Sequence, residues 1–243
     1  MALGYAKSRP AVHPKVIDRV RDYLRIAAPV RSALDIGCGA GVSTAALQRI
    51  APNPVGIEPH YSMLRYGSTI APGAYFAAGT AERMPIRTGS MDLITAAGSL
   101  NFVDLQFGLP EIRRVLRNGG RLVIYDFAQG SDFADSDRLT IWHREFKTRY
   151  PPPASRPFHV EALNLNKHGL ELIHIDSFAV GLEIAPDFYV GYAMTETNVA
   201  AAAGSGTPHG EIREWCRQSI AQVFGGEAHE VLFKGYIAYA GRT

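Results

Sequence analysis

Short apolar runs punctuate the first half of the chain, and helical patterns of about ten residues fall between them. The runs cover residues 32–36, 54–58, 74–79, 91–100 and 120–128. Continuous apolar runs of this length are typical of strands that helices cover on both faces. Their alternation with helices predicts crossover units, and therefore a doubly wound α/β sheet whose strands are mostly parallel.

Four segments of the first half repeat apolar residues at helical spacing. They are residues 14–27, 41–50, 60–70 and 109–118. Glycine terminates helices readily because it adopts the left-handed backbone conformation without a steric penalty. The last of these helices is therefore expected to end at Gly119–Gly120.

The pattern changes beyond about residue 130. Helices are predicted at 136–150, 158–168, 187–200 and 211–224, strands at 170–184 and 229–241, and a loop at 201–210. The two late strands would complete the sheet at an antiparallel edge, while the helices between them have no place in it. We therefore interpret residues 1–243 as a single domain, with a lid segment at 1–27 and lid insertions at about 130–168 and 186–226.

Composition narrows the class of protein. The chain has 243 residues, of which 47% are apolar and 20% charged, and its net charge is +2. This is an ordinary soluble balance, and it predicts neither a nucleic acid nor a membrane as partner. The two cysteines indicate free thiols, and no run approaches the ~18 apolar residues of a membrane span. Without a signal-peptide core near its first residues, the chain is expected to be cytoplasmic, and no metal site is predicted.

The stretch Ala33–Thr44, ALDIGCGAGVST, carries the strongest local signal. A strand that runs into glycines at the start of a helix is typical of a nucleotide-binding loop. The spacing here is G-x-G-x-G, from Gly37, Gly39 and Gly41, and Val42 stands where the dinucleotide fingerprint has its third glycine. A phosphate loop is excluded because no Gly-Lys-Ser/Thr follows.

The residues LDIGCGAG, 34–41, resemble motif I of the class I S-adenosylmethionine-dependent methyltransferases, D/E-x-G-x-G-x-G. Downstream, VGIEPHYSML places Glu58 21 residues after Gly37 and resembles the family's EPSxxML segment. An acid at that strand end can accept hydrogen bonds from both ribose hydroxyls. GTAERMPI, 79–86, resembles the family's GDAExLPF, with Thr80 in place of the aspartate.

The resemblance implies a Rossmann-like methyltransferase fold with seven strands in the order 3-2-1-4-5-7-6. It also implies S-adenosylmethionine as cofactor and S-adenosylhomocysteine as product. Asp35 would hold the cofactor's ammonium and Glu58 its ribose, while Tyr5 and Arg9, in YAKSRPAVHP, would lie near its carboxylate. Helix capping by Asp35 and a solvated terminus around Tyr5 stay open as alternatives. The implied cofactor-binding residues are Tyr5, Arg9, Asp35, Gly37, Cys38, Gly39, Gly41, Glu58, Pro59, Met63, Thr80, Ala81, Glu82 and Ala97.

No residue stands out as a general base. The candidates are His143, Tyr189, Tyr192 and Asn101. Asn101 lies in SLNF, where related small-molecule enzymes have a His-Trp pair, so a histidine with that role is absent from this position. A base is required only if the acceptor arrives protonated, because the methyl group of a sulfonium is already activated.

The candidate substrate-binding residues are Arg144, Trp142, Tyr189 and Tyr192. Aromatic residues at helical spacing are more often part of a core, and a basic run is more often a solvated helix face. The sharper hypothesis is an acceptor that bears a carboxylate. It follows from the five basic residues and single acid between residues 138 and 159, and from a loose resemblance of FYVGYAMTETN to methyltransferases of small carboxylic acids.

The favoured function is methyl transfer from S-adenosylmethionine to a small-molecule acceptor. The alternatives are an NAD-dependent dehydrogenase and a catalytically inactive S-adenosylmethionine-binding module. A nucleic-acid amino-methyltransferase is disfavoured because AAGSLNF stands where Asp/Asn-Pro-Pro-Tyr is expected. The acceptor atom and the oligomeric state are not encoded in any of these patterns.

Overall fold

The computed structural model describes residues 8–154 and 158–242. Tyr5, one of the predicted cofactor-binding residues, lies outside these residues. Eight strands are present in the described residues, and all belong to one sheet. They are β1 (Ala33–Ile36), β2 (Val55–Glu58), β3 (Tyr75–Ala78), β4 (Met91–Ala97), β5 (Leu116–Phe127), β6 (Asp132–Phe133), β7 (Leu170–Ile184) and β8 (His229–Arg242).

Nine α-helices and three short 3-10 helices accompany the sheet within the same ranges. The α-helices are α1 (Val12–Tyr23), α2 (Val42–Leu47), α3 (Tyr61–Leu64), α4 (Gly67–Ile70), α5 (Leu105–Val115), α6 (Arg138–Arg149), α7 (Pro186–Ala193), α8 (Thr197–Gly204) and α9 (His209–Phe224). The 3-10 helices are Leu100–Phe102, Val160–Ala162 and Leu165–His168.

The strand order confirms the predicted α/β architecture. Strands β1 to β5 form parallel pairs in the order β3-β2-β1-β4-β5, and β8 then pairs with β5 in the antiparallel sense. Along its length β8 also pairs with β7, which gives the predicted order 3-2-1-4-5-7-6 when β7 and β8 are counted as sixth and seventh. The one addition is β6, a two-residue strand against β8 that is too short to leave an apolar pattern.

Both faces of the sheet are covered, as the continuous apolar runs predict. All four side chains of β1 are buried. Val12, Val16, Ile17 and Val20 of α1 are fully buried in the layer that also holds α2 and the later helices α6, α7 and α9. The opposite layer packs α5 and the 3-10 helices near residues 160–168 against β1, β4 and β5.

Both predicted boundaries of helix α5 are wrong. Helix α5 ends at Val115 rather than at residue 118, because Leu116 is extended and pairs with Met91 of β4. Its N-terminus lies earlier than predicted, since the carboxylate of Asp104 accepts a hydrogen bond from the backbone amide of Gln106 and Pro110 is tolerated inside the first turns.

The lid region also departs from the predicted elements. The predicted helix 187–200 is two helices, α7 and α8, and α8 continues through residues predicted as loop. Alanines at 200–203 have the highest helix propensity, and this outweighs the loop-like composition that follows them. The predicted helix at 158–168 is two separate 3-10 turns. None of the helices in the described part of the chain is both long and apolar enough to cross a membrane.

Candidate active site

The carboxyl ends of β1, β2 and β4 surround a cleft of about 510 Å³. Ligands of doubly wound sheets bind at this edge, near the point where the strand order reverses, and here that point lies between β1 and β4. Seven of the predicted cofactor-binding residues line it: Gly37, Glu58, Pro59, Thr80, Ala81, Glu82 and Ala97. The other lining residues are not among those that the motifs imply, and they are Ile36, His60, Gly79, Gly98, Ser99, Phe102 and Val103.

The three motif glycines all have positive φ angles, of 67°, 55° and 95° at Gly37, Gly39 and Gly41. A Cβ at Gly37 would lie 2.5 Å from the Cβ of Ser99, and one at Gly41 would lie 3.2 Å from the Cα of Gly67. Protein atoms therefore occupy the space beside these two glycines. Only at Gly39 does the nearest group, a methyl carbon of Met63 at 3.6 Å, leave ordinary van der Waals room.

Glu58, at the end of β2, is 7% exposed and lies between two loops. Its Oε2 accepts a hydrogen bond from the backbone amide of Gly39 at 3.1 Å. Its Oε1 accepts one from the amide of His60 at 2.9 Å, and the Nδ1 of that histidine lies 2.8 Å away. A carboxylate held at both oxygens is fixed in place, so Glu58 presents a preorganised acceptor to the cleft.

Asp35 occupies a different position from the one the resemblance implies. It is fully buried and is not among the residues that line the cleft. Its carboxylate accepts hydrogen bonds from the hydroxyls of Ser43, Thr44 and Thr95 at 2.7, 2.6 and 3.0 Å. Burial raises the pKa of this carboxyl, and the three hydroxyls oppose the rise. The geometry shows Asp35 fixing the glycine loop to α2 and β4.

The remaining wall of the cleft follows β3. The amide of Arg83 donates to the carbonyl of Thr80, which closes a tight turn. Glu82 accepts a hydrogen bond from the amide of Asp104 at 2.9 Å, and this ties the turn to the start of α5. Phe102 is 84% exposed at the rim. The turn at Thr80–Glu82 and the exposed ring of Phe102 thus both line the cleft.

Cys38 is the buried thiol of the glycine loop. Burial raises its pKa well above the usual range, and the negative charges of Asp35 and Glu58 add to the rise. A thiol held protonated is a poor nucleophile. Cys38 therefore serves as a small loop residue.

Arg9 is placed away from the cleft, against the corner between α7 and α8. Its Nη1 lies 3.7 Å from Glu196 Oε1, and its guanidinium stands 5.5 Å from the ring centre of Tyr192. The side-chain amide of Gln129 also donates to Glu196. Glu196 is a partner that sequence reasoning missed, because an acid between two helices gives no local signal of a contact 187 residues away along the chain.

Four of the predicted base and substrate residues are buried on α6 and α7, namely Trp142, His143, Tyr189 and Tyr192. The phenol of Tyr189 donates to the carbonyl of Gly130 at 2.5 Å. Arg144 and Asn101 are exposed. None of the six lines the cleft, although the neighbours of Asn101 in the sequence stand close to its rim.

His143 makes the stability of the fold sensitive to acid. Burial lowers its pKa from 6.5 to about 4, the charge of Lys147 adds to the effect, and Asp132 opposes it. Because the folded state binds this proton less tightly than the unfolded state, stability present at pH 7.5 is lost as the pH falls from 6.5 toward 4. We expect a loss of about 2 kcal/mol by pH 5 from this group.

Denaturant unfolding at pH 7.5 and pH 5 checks this expectation. His143→Phe should remove the contribution of this group and flatten the pH dependence relative to the unmodified chain. His159→Gln, at an exposed histidine, should leave the dependence as it is. A pH dependence that survives unchanged in His143→Phe would contradict the assignment.

Comparison with known proteins agrees with this architecture. Residues 34–124 match the family model described as Methyltransferase domain. An uncharacterized methyltransferase of Mycobacterium tuberculosis is 34% identical over 119 residues, which are 49% of this chain and 47% of the relative. A demethylmenaquinone methyltransferase of Beutenbergia cavernae is 36% identical over 103 residues, 42% of this chain and 43% of the relative. The chain thus matches a little under half the length of these curated relatives.

Solved structures give the fold over a longer stretch. A provisionally named type II methyltransferase from Anaeromyxobacter dehalogenans superimposes with a TM-score of 0.68 at 21% identity, covering 92% of this chain and 95% of that one. Geranyl diphosphate C-methyltransferase from Streptomyces coelicolor A3(2), solved with S-adenosylhomocysteine, gives 0.53 at 18% identity over 94% and 77%.

The fold is thus similar to that of solved methyltransferase structures. Residues 34–124 are the stretch that matches the methyltransferase-domain model. This stretch contains β1 to β4, α2 to α5 and most of β5, and it includes every residue that lines the cleft.

Proposed function

We propose that the protein transfers a methyl group from S-adenosylmethionine to a small-molecule acceptor. The observation that carries this proposal is Glu58, which is fixed at the end of β2 by Gly39 and His60 and faces the cleft. A fixed carboxylate at this strand end suits the two vicinal hydroxyls of a ribose. The cofactor, when bound, supplies a methyl group on a positively charged sulfur that is a good leaving group.

The residues present fit this cofactor. Glu58 would hold the ribose, the glycine loop at Gly37–Gly41 would follow the amino-acid tail, and the turn at Thr80–Glu82 would receive the adenine. This cofactor has no phosphate to be bound. In agreement, His60 is the one basic side chain among the described residues that line the cleft. The chain's own task is to hold the reactants in line and exclude water. We propose that the helices of 130–168 and 186–226, with the segment 1–27, form that cover.

A small acceptor is supported by the names of similar proteins, which include a demethylmenaquinone methyltransferase and a geranyl diphosphate C-methyltransferase. Val42 argues against the NAD-dependent alternative. It is the first residue of α2 and follows Gly41, where a Cβ would lie 3.2 Å from the Cα of Gly67. A dinucleotide site needs a third glycine there for close packing. We further propose a cytoplasmic location, in keeping with two buried free thiols.

A carboxylate-bearing acceptor is the finer proposal, and Arg144 tests it. Arg144 is exposed on α6, so Arg144→Ala should leave the fold intact. If the acceptor's carboxylate binds there, the variant should raise the acceptor KM by about tenfold and leave the affinity for S-adenosylmethionine unchanged. An unchanged acceptor KM would contradict the role of Arg144, and Lys167→Ala, at another exposed basic residue, is the matched control.

The reaction class is tested by following release of S-adenosylhomocysteine with a panel of phenols, amines, thiols and carboxylic acids. Turnover that depends on one acceptor class supports the proposal. Tight S-adenosylmethionine binding without turnover on any class would favour the inactive binding module, and binding of NAD alone would favour the dehydrogenase.

A further inference from the structure

Asp126 lies at the carboxyl end of β5, directly beside the cleft. It follows Tyr125, which pairs in register with Ala97 of β4, so Asp126 stands next to Gly98. Gly98 lines the cleft and has a φ of 59°. A Cβ at Gly98 would lie 2.9 Å from Asp126 Oδ1. The absence of a side chain at Gly98 therefore leaves room for the Asp126 carboxylate directly behind this part of the cleft wall.

The carboxylate of Asp126 has little to stabilise its charge. Its one hydrogen bond is accepted from the amide of its own neighbour, Phe127, at 2.8 Å. Within residues 8–154 and 158–242 no salt bridge to it is formed. Burial raises its pKa, and the Phe127 amide opposes the rise only in part. A carboxylate with a raised pKa and unused acceptor capacity beside a cleft is suited to take up a proton.

The strand order places Asp126 at the acceptor's end of the site. Glu58 ends β2, and β1 and β4 separate that strand from β5. Three strand spacings of about 4.8 Å put the two strand ends about 14 Å apart. If Glu58 holds the ribose, the cofactor's reactive end points away from β2. The opposite side of the cleft, where β4 and β5 end, is then the side from which an acceptor arrives.

The two tyrosines near this position are unsuited to act as a base. Tyr236 of β8 stands opposite Asp126 in the ladder, and burial, followed by the charges of Asp126 and Glu161, raises its pKa to about 12. Burial also raises the pKa of Tyr125 well above its usual range. Both phenols therefore stay protonated at neutral pH. His143, the predicted histidine candidate, is buried on α6, where its ring packs against Trp142 and Phe146 of the same helix.

We propose that Asp126 is the catalytic base, which takes the proton from the O–H, N–H or S–H group of the acceptor as that atom forms its bond to the methyl carbon. The bond from that carbon to the sulfonium sulfur breaks at the same time, its electron pair stays on sulfur, and S-adenosylhomocysteine leaves as the neutral thioether. The proton ends on a carboxylate oxygen of Asp126 and leaves to solvent after product release, and no oxidant or further reactant is needed. This inference rests on the proposed methyltransferase function. It adds to that function an acceptor that binds in its protonated form.

The matched pair Asp126→Asn and Asp176→Asn tests the proposal. Both remove one carboxylate with the same change in shape, but Asp176 is exposed on β7. With an acceptor from the panel above, Asp126→Asn should lower kcat by about 100-fold or more, and Asp176→Asn should stay within about threefold of the unmodified chain. Asp126→Glu should restore part of the rate. The pH profile of the unmodified chain should rise on its acid side as the carboxylate ionises, and this rise should be absent in Asp126→Asn.

Two readouts do not depend on activity. Calorimetric titration with S-adenosylmethionine should give Asp126→Asn an affinity within about threefold of the unmodified chain, because the carboxylate serves the acceptor. Thermal unfolding should show a higher Tm for Asp126→Asn at pH 7. The pKa of Asp126 is higher in the folded state than in the unfolded state, so the ionised carboxylate destabilises the fold above the unfolded pKa. The gain in Tm on removing it should therefore disappear near pH 4.

Each other outcome overturns the proposal in a distinguishable way. Full activity in Asp126→Asn excludes the base role. Lost activity together with a lowered Tm or a lost cofactor affinity shows that Asp126 is structural. If the unmodified chain binds S-adenosylmethionine but methylates no member of the panel, the proposed function itself fails, and the base role fails with it.

Discussion

Glu58→Ala is expected to weaken S-adenosylmethionine binding by about 1.5–3 kcal/mol, which is roughly 10- to 150-fold in Kd. Two effects add. The ribose hydroxyls lose a charged acceptor, and the amides of Gly39 and His60 lose the group that fixes their loops. Isothermal titration of the unmodified chain and the variant, at one pH and salt concentration, measures the loss directly.

Glu58→Gln separates the two effects. The amide retains an oxygen for Gly39 but loses the charge and one acceptor, so its loss of affinity should be smaller than that of the alanine variant. Glu171→Ala, at an exposed acid of β7, is the matched control and should bind like the unmodified chain. An unchanged Kd in Glu58→Ala would remove the ribose assignment.

Trp142→Ala is expected to cost about 3–5 kcal/mol of unfolding free energy. Trp142 is 2% exposed, and its ring packs against Phe146 and Trp215, with ring centres at 4.8 and 5.8 Å. Its indole N–H donates to the hydroxyl of Ser219 at 2.8 Å. This one side chain joins α6 to α9, so its removal loosens the lid helices as a unit. Urea unfolding at pH 7.5 gives the change in free energy.

Trp142 is a candidate substrate contact by its sequence, although core packing is the more frequent role of such a residue, and stability distinguishes the two roles. Trp142→Phe keeps the stacking and should lose only about 1–2 kcal/mol. Ile141→Ala, at the exposed neighbour on the same helix, should lose less than about 1 kcal/mol. A stable Trp142→Ala variant with a raised acceptor KM would instead favour a direct substrate contact.

The sheet and the glycine loop could be predicted because their signals are local. Continuous apolar runs at β1, β2 and β5 reflect burial on both faces, and the predicted strand order is the one observed. The position of Glu58 followed from its place at a strand end. Gly37 and Gly41 also make room for Ser99 and Gly67, and the motif spacing does not reveal these two contacts.

The rest of the site depends on contacts that spacing along the chain does not encode. Asp126 lies against Gly98, a residue of the cleft wall, because β5 pairs with β4 in one register and because Gly98 lacks a side chain. Arg9 meets Glu196 only when the N-terminal segment packs on the α7–α8 corner. The aromatic residues of α6 and α7 have the same spacing whether they face a ligand or a core. Their packing with residues of α9 places them in the core.

One titration tests the central claim most directly: S-adenosylmethionine against the purified chain by calorimetry, with NAD titrated in parallel under the same conditions. The proposed function predicts one site per chain with a Kd in the micromolar range, about 100-fold or more below that for NAD, and a further 10-fold or greater loss in Glu58→Ala. Binding of NAD in preference to S-adenosylmethionine, or binding of neither, would contradict it.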